Sequence, residues 1–493
     1  MSLDGKLVYA QVVKVSDLGP AAATPVLCVD LDGTLVLTDT LHEQVLMLLK
    51  TNPLGFLAAL LELFHGIAQF KRAVSRRVAF RTDLLPYREE LVTYLRGEAE
   101  RGRHILLVTA ADRAIAEGVA RHLGFFKAVL ATEGSTNLKS NAKVSRIREY
   151  TQSEPFEYAG DSSADIPVWQ AAAAAILVNP TRSIRRAVGR AGVSVTKEFR
   201  SAGTWKDVLR AMRVYQWSKN LLIFAPVFLS HTIFRLPKLL LAGETFLAFS
   251  LAASAIYVVN DLLDLDADRQ HPRKRFRPFA AARLSAMQGV ALAAILLLGA
   301  AAFSLALPPL ARMVVALYVV TSMSYTTYLK KMLFLDVITL AGLYTLRMLA
   351  GGVATSVVIS QWTLAFSIFM FTSLAICKRL SELRAGGVPD DRRLPGRAYS
   401  PVDLSSLTSL ASSSGYVAVL ILALYLNSPE VAVLYRHPKV MWLLLPILAY
   451  WISRAIMIAN RGEMHDDPIV FAFGDAASRV VGLAALGVVI GSL

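Results

Sequence analysis

The feature that most constrains this chain is the series of long apolar runs that fill it from about residue 215 onward. Runs near the ~20 residues needed to cross a hydrocarbon core recur at 217–234, 239–260, 286–306, 310–328, 332–352, 361–378, 414–427, 440–459 and 475–493. These nine segments predict an all-α membrane domain, with the first and seventh short or interrupted. Residues 1–200 carry mixed charge and ordinary amphipathic patterning, so the 55% hydrophobic content of the 493 residues is concentrated behind them. The expected organisation is a soluble domain over 1–200, a basic linker or interfacial segment over 201–216, and a membrane domain over 217–493.

Charge gives this arrangement a direction. Arg182, Arg185, Arg186, Arg190, Lys197, Arg200, Lys206, Arg210, Arg213 and Lys219 crowd the approach to the first apolar run. Basic residues return after the second run (Arg269, Arg273, Lys274, Arg275, Arg277, Arg283), the fourth (Lys330, Lys331) and the sixth (Lys378, Arg379, Arg384, Arg392, Arg393, Arg397), whereas 351–361 has no charge. Alternate loops agree in sign, so the positive-inside rule puts them and the first 200 residues on the cytosolic side of the cytoplasmic membrane. Met1 to Pro20 contains no apolar stretch behind a basic start, unlike a secretory signal. The net charge of +15 is then membrane-surface and anionic-substrate chemistry rather than a nucleic-acid footprint. Cys28 and Cys377 lie far apart and show no metal or disulfide spacing.

In the soluble part, the strand-like Val26-Leu27-Cys28-Val29 runs into Asp30-Leu31-Asp32-Gly33-Thr34-Leu35. Two carboxylates two residues apart at a strand end suit a nucleophile and an acid/base partner. A second apolar strand, 105–108, ends in Thr109, and Gly160-Asp161-Ser162-Ser163-Ala164-Asp165 follows a third, with Lys143 between. Strands alternating with helical segments predict a parallel α/β sheet with its ligands at the strands' carboxyl ends. The helical insert at 36–81 predicts a small cap, its apolar run 54–64 being too short to span a bilayer and read as cap packing.

These signals resemble the four motifs of the haloacid dehalogenase (HAD) phosphatase superfamily over roughly 24–195, which implies a Rossmann-like fold. The resemblance implies that Asp30 attacks a phosphate, Asp32 protonates the leaving oxygen, Thr109 bonds the phosphoryl group and Lys143 offsets charge. It further implies Mg²⁺ held by Asp30, the Asp32 carbonyl and Asp161, with Asp165 in support; hard oxygen ligands suit that ion. Lys139 is an alternative to Lys143 that spacing alone leaves open.

In the membrane part, Asn260-Asp261-Leu262-Leu263-Asp264-Leu265-Asp266-Ala267-Asp268-Arg269 places Asp261, Asp264 and Asp268 on one helical face. Carboxylates at a membrane helix end need compensation. The basic His271-Pro272-Arg273-Lys274-Arg275-Phe276-Arg277-Pro278 follows directly, so one loop offers groups for both a metal and an anion. The run resembles the N-D-x-x-D-x-x-x-D motif of the UbiA superfamily of intramembrane transferases. It is most similar to the branch that moves ribose 5-phosphate from phosphoribosyl pyrophosphate to a polyprenyl phosphate (decaprenyl-phosphate phosphoribosyltransferases). Gln216-Trp217-Ser218-Lys219-Asn220, the stretch 344–352 with Arg347, Lys378-Arg379 to Glu382, and His465-Asp466-Asp467-Pro468 fit the same branch.

That resemblance implies Mg²⁺ on Asp261, Asp264 and Asp268, and anion pockets drawn from Lys219, Asn260, Arg269, Lys274, Arg277, Lys330, Asp336, Arg347, Lys378 and Arg379. Where prenyltransferases of the superfamily carry a second D-x-x-x-D, Asp336 is followed four residues later by Leu340. Basic Lys330 and Arg347 flank it, which favours a donor and an acceptor that both bear phosphate. The expected product is a lipid-linked ribose 5-phosphate that the neighbouring phosphatase dephosphorylates. The alternative is prenyl transfer to an aromatic or quinone-precursor acceptor, with the HAD domain in an unrelated or regulatory role.

Overall fold

The computed structural model describes residues 25–133, 137–200, 203–386, 393–394, 396–429, 431, 435–464 and 467–492. Packing divides the chain into two compact units, Met1–Ala211 with Val259–Ala291, and Met212–Val258 with Leu292–Leu493.

The first unit is built on six strands, β1 (Val26–Val29), β2 (Ile105–Asp112), β3 (Ala128–Thr132), β4 (Phe156–Gly160), β5 (Ala174–Val178) and β6 (Val195–Phe199). All pair in parallel, in the order β3-β2-β1-β4-β5-β6. Alternation along β1 sends Leu27 and Val29 into one apolar layer with Leu91, Leu95 and Val119, and Cys28 into the other with Ile147 and Trp169. Both faces are covered, as a parallel sheet requires. Winding reverses beside β1, so the crevice at the carboxyl ends of β1 and β4 is the topological switch point.

Between β1 and β2 stands the expected cap, made of α1 (Thr40–Thr51), α2 (Pro53–Leu61) and α3 (Ile67–Arg77). Asp39 caps α1 by accepting from the His42 N–H, and Asn52 caps α2 by accepting from Gly55. Leu48, Ala59, Phe70 and Val74 form the cap's own small core.

The second unit is helical. Six helices are long and apolar enough to cross a membrane, and the bent pair Pro468–Gly474 and Ala476–Ser492, 85° apart, makes at most a seventh among the described residues. The count falls short of the nine read from sequence for local reasons. The first run becomes the 3₁₀ segment Val214–Phe224 followed by the five-residue helix Ala225–Leu229, with Pro226 in its first turn. The fourth, Pro309–Thr327, contains Arg312 and a polar C-terminal turn and drops out of the apolar set. Gly351 lets the segment Val214–Phe224 lie against the helix Leu335–Thr355: a Cβ there would sit 1.9 Å from the Ile223 carbonyl oxygen.

Candidate functional site

At the switch point the residues singled out in the first 200 positions converge. Asp30, at the end of β1, is 8% exposed; its Oδ1 accepts from the Leu31 N–H at 2.8 Å and lies 3.0 Å from Lys143 Nζ. Lys143, on the helix Asn141–Thr151, also reaches Asp165 Oδ1 at 3.2 Å and the Tyr158 hydroxyl at 2.7 Å. Lys139 is exposed, so of the two lysines it is Lys143 that the fold brings to the carboxylates. Thr109 ends the straight part of β2, fully buried, its hydroxyl accepting from the Ala111 N–H. The turn after β1 works only with glycine. Gly33 has φ +74°, and a Cβ there would fall 2.2 Å from Asp161 Oδ2.

Two further residues were not singled out from sequence. Arg88 donates to the carbonyls of Thr34 and Gly33, bracing the turn that carries Asp32. Tyr158 donates to Asp165 Oδ1 at 2.9 Å. Both act through tertiary contacts, which spacing along the chain does not reveal.

Asp30, Asp161 and Asp165 offer carboxylate oxygens within 4.8 Å of one another. Three converging hard oxygen donors fit a Mg²⁺-sized cation. Burial pushes the Asp30 carboxyl up to about 6 against the pull of Lys143. Burial and the neighbouring Asp39 push Asp32 up to about 7, and burial with Asp30 and Asp165 pushes Asp161 up to about 7. Such groups keep protons in the folded chain that they lose near pH 4 when unfolded, so in metal-free protein their contribution to stability falls as pH rises through this window. A divalent cation competes for the same oxygens. The Mg²⁺-induced rise in thermal midpoint of the detergent-solubilised chain should therefore grow between about pH 5.5 and 7.5. A midpoint shift that is the same across that range would exclude these carboxylates as the ligands.

The acidic loop belongs to the same compact unit. Asn260 and Asp261 lie in the last turn of the helix Leu236–Leu263, and Asp268 in the helix Leu265–Gln270. Asp261 (2% exposed) and Asp268 (3%) share the Arg277 guanidinium, at 3.1 and 2.7 Å. Asp264 pairs with Lys50 of α1 at 2.8 Å, and Lys50 also donates to the Leu263 carbonyl at 2.7 Å. Arg269 is engaged by Glu43 of α1 through two hydrogen bonds, both side chains buried. Lys274 opens the turn Lys274–Phe276, its N–H directed at His271 Nδ1. Among the described residues Asp261, Asp264 and Asp268 do not converge as Asp30, Asp161 and Asp165 do. Their charge is answered by Arg277 and Lys50.

In the helical unit the expected cations fall into two groups. Asp467 accepts from Tyr344 at 2.6 Å and lies 3.0 Å from both Lys219 and Lys378. Arg347, 5% exposed and within electrostatic range of Lys219, is bonded to Asn220, Tyr318 and the Leu343 carbonyl, all neutral. Three cations thus face one carboxylate among the described residues. His465, Asp466 and Arg392 lie outside them. The second group is balanced: Arg379 pairs with Asp336 at 2.8 Å and with Glu382, and Arg397 lies 3.9 Å from Glu382. Tyr399 donates to Asp336, and Lys330 gives its carbonyl to Arg397. Asp336 and Arg379 therefore hold each other, whereas Lys219, Lys378 and Arg347 carry an excess of positive charge.

A doubly wound sheet with carboxylates at its switch point, on one chain with an apolar helical unit, defines a hydrolase domain joined to a membrane-embedded enzyme. The profile of the haloacid dehalogenase-like hydrolases matches residues 27–170, and that of the UbiA prenyltransferase family matches residues 221–475. The chain belongs to the UbiA prenyltransferase family and carries a haloacid dehalogenase-like hydrolase domain ahead of it. It is 37% identical to an uncharacterised protein, y4nM, of Sinorhizobium fredii, over 93% of this chain and 89% of that one. It is 36% identical to nodulation protein NoeC of Azorhizobium caulinodans, over 59% of this chain and 95% of that one. Decaprenyl-phosphate phosphoribosyltransferase of Mycobacterium tuberculosis is 34% identical over 36% of this chain and 60% of its own length.

Proposed function

We propose that the chain transfers 5-phosphoribose from phosphoribosyl pyrophosphate to a polyprenyl phosphate, and that its hydrolase domain then removes the 5-phosphate to leave polyprenyl-phosphoryl ribose. The observation that carries this reading is the excess of cations formed by Lys219, Lys378 and Arg347 around the Asp467 carboxylate among the described residues. A donor bearing both a pyrophosphate and a phosphate, with an acceptor that is itself a phosphate, would occupy such an excess, whereas an aromatic acceptor brings no phosphate. The similarity to the mycobacterial phosphoribosyltransferase supports the same reading.

In the transfer, an oxygen of the lipid phosphate bonds to the ribose anomeric carbon while the bond to pyrophosphate breaks, and pyrophosphate leaves with the electron pair. Fixed cations at the departing group stabilise the charge that develops there, which is where preorganised electrostatics act most strongly. In the hydrolysis, Asp30 attacks phosphorus and Asp32 gives its proton to the leaving ribose oxygen. Water then releases phosphate from Asp30, its proton passing to Asp32. The Asp32 carboxyl, raised to about 7, is suited to both roles near neutral pH. Thr109 holds the phosphoryl oxygen, and Lys143 offsets negative charge. Mg²⁺ on Asp30, Asp161 and Asp165 would supply charge neutralisation of the phosphate. Both reactions are assigned to the cytosolic face of the cytoplasmic membrane.

Purified protein incubated with phosphoribosyl pyrophosphate, polyprenyl phosphate and Mg²⁺ should yield a lipid heavier by one ribosyl group without its 5-phosphate, read by mass. A preference for prenyl pyrophosphate in donor competition, with an aromatic acceptor modified, would establish the alternative reading instead.

A further inference from the structure

The cap presents an apolar face that its own core does not use. Leu54 is 78% exposed, Leu57 57%, Leu61 63% and Phe64 88%. At these spacings they line one side of α2 and the turn that follows, while Phe56, Ala59 and Leu60 on the other side pack onto the cap core. Contiguous exposed leucines and phenylalanines of this kind mark a docking surface rather than ordinary scatter. The sequence reading of 54–64 as cap packing thus holds for one side of the helix only.

The neighbourhood says what covers the other side. Lys50, three residues before α2 begins, is fastened to the Leu263 carbonyl and to Asp264. Leu263 ends the 28-residue apolar helix Leu236–Leu263, one of the candidate membrane spans. A helix of that length is about 42 Å, longer than the ~30 Å hydrocarbon core and close to the full bilayer with its headgroups. The tie at its end therefore sets the start of α2 at headgroup depth. Arg72, Arg76 and Arg77, all exposed on α3, supply the positive charge that anionic headgroups attract. Pro53–His65 is too short to span, at about 20 Å, but has the length and one-sidedness of an interfacial helix.

We propose that Pro53–His65 inserts its Leu54, Leu57, Leu61 and Phe64 face into the surface of the bilayer that holds the chain's own membrane helices. The insertion seats the phosphatase cap at the level of lipid-borne phosphate. It stands independently of which lipid the transferase uses.

The test uses the full chain in phosphatidylcholine–phosphatidylglycerol vesicles. Cys28 and Cys377 are buried, so a fluorophore can be placed selectively at Phe64→Cys and, for comparison, at the exposed Glu149→Cys. Quenching by doxyl-labelled lipid should be at least about threefold stronger at 64 than at 149, and quenching by aqueous iodide weaker. Adding Leu57→Glu with Leu61→Glu should abolish the lipid quenching while p-nitrophenyl phosphate hydrolysis stays within about twofold, showing that the cap is still folded. Iodide access at 64 equal to that at 149 would overturn the proposal. So would protection from both quenchers, which would mean that protein, such as a second copy of the chain, covers the face.

Discussion

Asp30→Asn should stop the second reaction and leave the first running, so that lipid-linked ribose 5-phosphate accumulates while pyrophosphate is released at the wild-type rate. The variant removes the attacking oxygen, a loss on the order of 10³-fold or more for a residue that forms the covalent bond. It leaves Lys143 paired to Asp165, so the fold around the site persists. The check is thin-layer or mass analysis of the lipid fraction beside a pyrophosphate assay. Fully dephosphorylated lipid-ribose from the variant would remove Asp30 from the mechanism. A wild-type protein that never loses the 5-phosphate would leave both sites standing and give the phosphatase another substrate.

Arg347→Ala should cut phosphoribosyl transfer by about 10²–10³-fold, the scale of losing a preorganised charge in a water-poor site. The side chain is buried among neutral partners, so its removal strands no carboxylate and is expected to disturb folding little. Arg347→Lys should recover only part of the activity, because an ammonium lacks the planar fork that bonds Asn220 and Tyr318 together. Unchanged donor affinity in the alanine variant would show that the excess of cations serves something other than substrate.

What the sequence made legible was what strand ends and short spacings determine. Asp30, Asp32, Thr109, Asp161 and Asp165 sit in or within five residues of the carboxyl ends of apolar strands, and strand order does the rest. The choice between Lys139 and Lys143 was out of reach, because it depends on how the helix Asn141–Thr151 docks. The count of long apolar helices, six or seven among the described residues, differs from nine for a related reason. Hydropathy sees the apolar run over 217–234 but not that a 3₁₀ path takes up its first part and that the α-helix after it ends at Leu229. The pairing of Asp336 with Arg379, of Glu43 with Arg269, and of Asp467 with two lysines joins residues far apart in the chain, where no local pattern speaks.

Helix α1 runs for 12 residues, about 18 Å, between the carboxyl ends of the sheet and the acidic loop. Its first N–H, on Thr40, donates to Asp32 at 2.8 Å; its Glu43 grips Arg269, and its Lys50 holds Asp264. One helix therefore ties the sheet's carboxyl ends to the acidic loop within a single compact unit. Losing Arg269 alone strands Glu43 as a buried carboxylate, a change costing about 3–5 kcal/mol. Substitutions that persist at position 43 should come matched with changes at 269.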